Sequence, residues 1–141
     1  MAAVARYIAD KSALARLRHP TVRAALGDLI EAGLVATCGV IEFELLWSTW
    51  SSEEFDDVSK DRNFGYEWLS TEDVDWRRAL SVQRELWSTG QMRTVPLPDL
   101  PIAAVAERNR VTVLHYDADF DRIAAITLQP TQWVVPRGSV P

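Results

Sequence analysis

Three aspartates follow predicted strands or an extended segment, at positions where their carboxylates could form one site. Asp10 and Asp117 each follow a predicted strand, and Asp99 follows an extended, proline-containing segment that enters a helix. Because the carboxyl ends of parallel strands meet at one edge of a sheet, we expect the three side chains to converge there. Carboxylates ~5 Å apart repel by about 3 kcal/mol per pair at an effective dielectric constant near 20, so an ionised cluster needs a cation.

Glu44 is the expected fourth carboxylate. It lies in a predicted helix over 40–50 whose residues are almost all apolar. At ~100° per residue, Glu42 falls with Thr49 on the side predicted to face solvent, whereas Glu44 points roughly 160° away from Glu42. A carboxylate turned toward an apolar surface must be protonated, paired or bound to a cation. Pairing with an arginine is the alternative to membership of the cluster.

The ligand types favour a hard cation. With oxygen ligands, the single Cys38 and no suitably placed histidine, the cluster predicts Mg²⁺ or Mn²⁺ rather than zinc. Such centres are characteristic of phosphoryl chemistry, in which they activate water and stabilise the leaving oxygen. His115 is expected to be structural and His19 to lie in a loop. Taken singly, each aspartate also has an ordinary explanation as a helix N-cap.

These acids need a parallel sheet to bring them together, and the chain alternates strand-like and helical patterns. We therefore predict an α/β fold with a central, mostly parallel sheet and helices on both of its faces. Strands are predicted over 4–9, 34–37, 111–115 and 133–135, and helices from Ser12, over 20–31 and 40–50, from about Glu53, from Asp73 to Gly90, from Asp99 to Asn109 and after Asp121. Trp76 and Trp87 fit a buried stripe of the long fifth helix.

Composition is that of one globular domain. The 141 residues are 48% hydrophobic and 25% charged, and we expect a domain over 1–135 followed by a flexible tail over 136–141. A lone cysteine forms no intramolecular disulfide. The sequence contains no 18-residue apolar run, so we predict neither a membrane span nor a signal peptide. The expected location is therefore the cytoplasm.

Four segments of the chain together resemble the PIN domain. They are YIADKSAL at 7–14, CGVIEFELL at 38–46, PDLPIAAVA at 98–106 and LHYDADFDRIA at 114–124. Their order and the chain length are similar to those of VapC-type toxins from bacterial toxin–antitoxin pairs. The resemblance implies a Mg²⁺- or Mn²⁺-dependent endoribonuclease that cleaves tRNA, rRNA or mRNA.

The resemblance also implies roles for individual residues. On this pattern Asp10 and Asp99 are the principal metal ligands, and Glu44 and Asp117 complete the catalytic set. Asp117 and Asp119 are further candidate ligands, with Asp119 acting through water or holding a second ion. Ser12 orients a carboxylate or the phosphate. Lys11 is a candidate RNA contact.

Partners follow from the same resemblance: an RNA substrate, a second copy in a homodimer and a cognate VapB-type antitoxin. Trp47 and Trp50 extend a nearly apolar helix, some of which is expected to be buried against another chain. Residues 53–75 carry nine acidic and two basic side chains, which suits a basic antitoxin segment. Without the five candidate carboxylates of the site, the formal net charge of −5 becomes 0, so bulk acidity does not exclude an RNA substrate.

Two other classes use a similar sheet. A receiver-like signalling domain with an acidic Mg²⁺-binding edge needs paired acids after the first strand, a phosphoacceptor aspartate near mid-chain and a late lysine, and this pattern is absent from the sequence. A Rossmann nucleotide binder needs Gly-x-Gly-x-x-Gly where this chain has Asp-Lys-Ser-Ala-Leu. A non-enzymatic scaffold with the same fold remains the third alternative.

Overall fold

The computed structural model describes residues 3–141. Its strands are β1 (Tyr7–Ala9), β2 (Val35–Thr37), β3 (Glu67–Trp68), β4 (Thr112–His115) and β5 (Thr131–Trp133). Its helices are α1 (Lys11–Leu14), α2 (Pro20–Glu31), α3 (Gly39–Trp47), α4 (Ser52–Gly65), α5 (Asp73–Ser88), α6 (Asp99–Asn109) and α7 (Asp119–Thr127), with a 3₁₀ turn at Met92–Thr94. Among these residues, no helix has the length and apolar character needed to cross a membrane.

The five strands form one sheet in the order β3-β2-β1-β4-β5, and every neighbouring pair is parallel. Ile8 of β1 is in register with Ala36 of β2 on one side and with Val113 of β4 on the other. The chain therefore leaves β1 toward one edge and later returns to its other side. In open parallel sheets, ligands bind at the carboxyl ends of the strands beside such a switch in direction.

Both faces of the sheet are covered, as predicted. Ile8 and Ala9 follow each other in β1 and point to opposite faces, yet neither is accessible to solvent. In β4, Val113, Leu114 and His115 are likewise all buried. A sheet whose consecutive residues are all buried must have helices on both sides.

Several predicted boundaries were wrong by a few residues. The first strand begins at Tyr7 because the N–H groups of Val4 and Ala5 donate to the Glu67 carboxylate instead of to a neighbouring strand. The third helix ends at Trp47, before Ser51 caps α4. The last strand is Thr131–Trp133 rather than 133–135. Val134 and Val135 are buried by packing, although they lie beyond that strand.

The predicted buried stripe of α5 is correct at Ala79 and Leu86 and wrong at Trp76, Leu80 and Trp87. Trp76 and Trp87 are about half exposed, and Leu80 is mostly exposed. The buried positions are Asp75, Ala79, Val82 and Leu86. Arg108 of α6 donates from Nε and Nη2 to the Asp75 carboxylate, at 2.8 and 2.9 Å. The buried face of α5 therefore includes an acidic side chain that is paired with Arg108 of α6, and the two tryptophans lie outside that face.

The last six residues contact the body of the domain. The Tyr116 hydroxyl donates to the Val140 carbonyl at 2.9 Å, and the Val140 N–H donates back to it at 3.1 Å. Arg16 Nε donates to the Pro141 carbonyl at 3.0 Å. The domain boundary at residue 135 and the flexibility of the tail stay predictions.

Candidate metal centre

Asp10 uses only one of its carboxylate oxygens within the fold. As the N-cap of α1 it accepts a hydrogen bond from the Ser12 N–H at 3.0 Å through Oδ2. Its own N–H donates to the Leu114 carbonyl at 2.9 Å, which holds the residue beside the end of β4. Oδ1 is buried and has no hydrogen-bond partner. Helix capping therefore explains one oxygen and leaves the other available to a ligand.

Asp99 is the acid whose pKa is shifted furthest from its ordinary value. It is the first residue of α6, where Pro98 holds the N-cap position, and its buried Oδ2 has no hydrogen-bond partner. Burial raises the pKa of Asp99 to about 8, and neighbouring negative charges add to the effect. Those charges belong to Asp10, Asp117, Glu44 and Asp119. The structure thus brings all five predicted carboxylates into one electrostatic cluster.

Three of these acids are close enough to share an ion. Asp99, Asp117 and Asp119 each offer a carboxylate oxygen within 4.8 Å of the others. Asp117 follows β4, and its Oδ1 accepts the Asp119 N–H at 2.9 Å, which fixes the turn into α7. Asp10 lies outside this group of three and interacts with it through charge.

Glu44 points into the same region from α3. Its Oε1 is buried without a hydrogen-bond partner. Burial is the main cause that raises the pKa of Glu44, the charge of Asp10 adds to it, and Lys11 opposes it. The nearby cation is therefore a lysine, and the alternative that Glu44 pairs with an arginine is wrong.

The prediction that Glu42 faces solvent is also wrong. Its carboxylate accepts hydrogen bonds from Arg62 of α4, with Nη2 to Oε2 at 2.8 Å, and from the Thr37 hydroxyl. Arg62 also lies over the Tyr66 ring, 3.9 Å from its centroid. Helix α4 covers this side of α3, so a helical wheel of α3 alone could not find the contact.

Ser12 and Lys11 both lie beside Asp10, as expected. The Ser12 hydroxyl accepts the Tyr116 N–H at 2.9 Å, which joins α1 to the residue before Asp117. Lys11 is partly exposed, and its charge acts on Glu44. The bond from Tyr116 gives Ser12 a positioning contact that no spacing in the sequence indicates.

His115 is a structural residue, in agreement with its prediction. The imidazole is fully buried, lies against Phe120 and Trp133 with ring centroids 5.2 and 5.1 Å away, and accepts the Asp117 N–H at Nδ1, 3.1 Å away. Burial lowers the pKa of His115, which favours the neutral ring with its proton on Nε2. His115 thus orients the backbone of Asp117.

Arg122 is a component that the sequence analysis missed. It lies three residues after Asp119 on α7 and donates from Nη1 to Asp119 Oδ1. The i,i+3 spacing of opposite charges on one helix is a signal that could have found this pair.

The arrangement fits a divalent cation. Asp10 Oδ1, Glu44 Oε1 and Asp99 Oδ2 are buried carboxylate oxygens without hydrogen-bond partners. Burying anionic oxygens without partners is costly, and a hard cation with oxygen ligands removes that cost. The acidic cluster is therefore chemically suited to a metal ion.

Fold and site together define a class of protein. The family model described as the PIN domain matches residues 7–126, and the chain belongs to this family. It is 46% identical to Ribonuclease VapC21 of Mycobacterium tuberculosis over 134 residues, which cover 95% of this chain and 97% of the relative. It is 40% identical to Ribonuclease VapC51 of the same organism over 135 residues, 96% of this chain and 97% of the relative.

Solved structures support the fold at lower identity. A DNA-bound VapBC structure from Salmonella typhimurium aligns with a TM-score of 0.74 and 15% identity, covering 94% of this chain and 100% of the other. VapBC2 from Rickettsia felis, bound to a promoter DNA fragment, aligns with a TM-score of 0.72 and 17% identity, covering 90% and 98%. Because the chain belongs to the PIN-domain family, the receiver-like and Rossmann alternatives are wrong.

Proposed function

We propose that the chain is a metal-dependent endoribonuclease and the toxin of a toxin–antitoxin pair. The observation that carries the proposal is the set of buried carboxylate oxygens without partners on Asp10, Glu44 and Asp99, beside Asp117 and Asp119. Relatives named ribonucleases, at 46% and 40% identity over almost the whole chain, support the same activity. A non-enzymatic scaffold would have no reason to keep these oxygens without partners.

Asp10, Asp99 and Asp117 are the proposed ligands for Mg²⁺ or Mn²⁺, and Asp119 is the fourth. The bound ion would lower the pKa of water and neutralise charge that develops on the phosphate. Glu44, whose pKa is raised by burial, would hold a proton beside this group. Ser12 orients Asp10 through its N–H. Lys11 is available to an RNA phosphate.

The test of this activity compares RNA cleavage by the wild type and by Asp99→Asn, with Mg²⁺, with Mn²⁺ and with chelator. We expect cleavage to require the ion and to fall at least 100-fold in Asp99→Asn, because a charged ligand is lost while side-chain size is kept. Asp73→Asn is the matched control, since Asp73 is exposed and pairs with Arg77 on α5. Equal cleavage by wild type and Asp99→Asn, or cleavage unaffected by chelator, would overturn the mechanism.

We further propose a VapB-type antitoxin as partner and a homodimer as the assembly. The solved relatives include a toxin–antitoxin complex from Klebsiella pneumoniae. On this chain, apolar residues of α3, α4 and β3 line a groove of about 550 Å³, here named the α3 apolar face. Phe43, Trp47, Phe55 and Trp68 of this face are exposed, and Leu46 is half-buried. Residues 53–75, with nine acidic side chains, adjoin it. An amphipathic, basic antitoxin segment fits both the α3 apolar face and the acidic residues beside it. A cytoplasmic location is the one we propose, because it suits an RNA substrate.

A further inference from the structure

The acidic cluster contains one internal ion pair. Asp119 and Arg122 both lie on α7, and the guanidinium donates from Nη1 to Asp119 Oδ1. The Asp119 side chain is 13% exposed, whereas the Arg122 side chain is 38% exposed. Within residues 3–141, Asp119 is the only one of the five carboxylates that forms a salt bridge.

The paired carboxylate is also one of the three that can share an ion. Asp119 lies with Asp99 and Asp117 in the group whose oxygens are within 4.8 Å of one another. Burial and the charge of Asp117 both raise the pKa of Asp119, and the positive charge of Arg122 opposes them. A guanidinium and a divalent cation at the same carboxylate would repel each other.

From this geometry we infer that Arg122 is an internal counter-ion of the metal centre, which competes with a divalent cation for Asp119. This inference rests on the proposed metal-dependent function. In the ion-free protein the guanidinium offsets part of the cluster's negative charge. An ion that binds Asp119 Oδ1 displaces the Arg122 hydrogen bond, and an ion that binds the other oxygen is still repelled by the guanidinium. The partial exposure of Arg122 allows the side chain to turn outward without unfolding the helix.

The alternative is that the pair only stabilises the first turn of α7. Arg77 and Asp73 form the matched example, an exposed pair at the start of α5 with Nε to Oδ2 at 2.7 Å. If both pairs are merely structural, removing either arginine lowers the stability of the protein and leaves its metal affinity unchanged. If Arg122 is a counter-ion, removing it lowers the stability of the metal-free protein but raises its affinity for metal.

The experiment measures Mn²⁺ affinity by electron paramagnetic resonance of free Mn²⁺ in the absence of RNA, for the wild type, Arg122→Gln, Arg122→Lys and Arg77→Gln. We expect Arg122→Gln to bind Mn²⁺ about fivefold more tightly, which corresponds to ~1 kcal/mol for a partly exposed ion pair. In chelator its Tm should fall by about 3 °C. Arg122→Lys, which keeps the charge, and Arg77→Gln should retain the wild-type affinity.

Asp99→Asn separates two kinds of failure. If Asp99→Asn binds Mn²⁺ as tightly as the wild type, the metal centre itself is wrong and the proposed function fails with it. If Asp99→Asn loses Mn²⁺ while Arg122→Gln binds it no more tightly than the wild type, the counter-ion inference alone is overturned. Tighter binding by Arg77→Gln as well would also overturn it, since any loss of positive charge would then suffice.

Discussion

The guanidinium of Arg62 donates to both carboxylate oxygens of Glu42, with Nε 3.1 Å from each and Nη2 2.8 Å from Oε2. Both side chains are nearly buried, at 10% and 12% exposure. The pair joins α4 to α3, while Glu44, two residues further along α3, faces the acidic cluster. Glu42 therefore has a structural role and Glu44 is left for the metal centre.

The two glutamates should respond oppositely to the same substitution. Glu42→Gln leaves the Arg62 charge nearly buried without its counter-ion, so we expect the free energy of unfolding to fall by about 3 kcal/mol. Glu44→Gln removes an unpaired carboxylate, and the metal-free protein should be as stable as the wild type or more so. Urea unfolding in chelator measures both, and Mn²⁺ titration should show weaker binding for Glu44→Gln. Equal stability of the two variants would contradict this division of roles.

What the sequence predicts well depends on the sheet, and what it misses depends on packing between helices. Asp10 and Asp117 could be placed together because strand ends in a parallel sheet share an edge. Helical periodicity placed Glu44 on the correct side of α3. The partner of Glu42 is 20 residues away, on a helix whose position is decided by tertiary contacts, so periodicity could not find it.

The buried face of α5 is a second feature that the sequence did not fully predict because it depends on packing between helices. Large apolar residues normally identify the buried face of a helix, yet here Trp76 is half exposed and Asp75 is buried. The buried carboxylate is compensated by Arg108, 33 residues away in the chain. The spacing of hydrophobic residues along α5 contains no information about an ion pair with a distant arginine. It therefore predicts the buried face of this helix only in part.

Metal affinity should depend on pH through Asp99. Its pKa of about 8 in the ion-free protein means that a cation must displace a proton below that pH. We expect Mn²⁺ binding to tighten by up to about tenfold per pH unit between pH 6 and 8, and to level off above. Isothermal titration in buffers of different ionisation heat would also detect the released proton. Affinity that is constant from pH 6 to 8 would exclude a protonated Asp99.

The same group predicts how the metal-free protein's stability changes with pH. Because the folded pKa of Asp99 lies above its unfolded value, the native state binds more protons between about pH 4 and 8. Its contribution therefore lowers stability as pH rises through that window, by at most ~1.4 kcal/mol per pH unit. Asp99→Asn should lack this contribution and exceed the wild type in stability at pH 8. Asp73→Asn should keep the wild-type pH dependence.

His115 should affect metal binding through its hydrogen bond to Asp117. His115→Phe keeps a ring in the pocket but removes the acceptor for the Asp117 N–H, so we expect lower stability and weaker Mn²⁺ binding. His115→Asn can place an amide oxygen near the Nδ1 position, and its Mn²⁺ affinity should be closer to the wild-type value although packing is lost. If both variants bind Mn²⁺ like the wild type, His115 contributes packing alone.

The α3 apolar face should be a binding surface rather than part of the core. Trp47 is 86% exposed, so Trp47→Ser should change the free energy of unfolding by no more than about 0.5 kcal/mol. If the antitoxin packs on this face, the same variant should weaken the complex with its cognate antitoxin at least tenfold, since buried tryptophans dominate interface energies. Leu128→Asn is the control, because Leu128 is also 86% exposed and lies after α7.

Charge supplies a second readout of the same interface. A basic antitoxin segment beside the acidic residues 53–75 should associate more slowly as salt increases, because screening weakens long-range attraction. Surface plasmon resonance at 50 and 500 mM NaCl separates this effect on the association rate from the effect of Trp47→Ser on the dissociation rate. An unchanged dissociation rate for Trp47→Ser would place the antitoxin elsewhere on the domain, whatever the salt dependence.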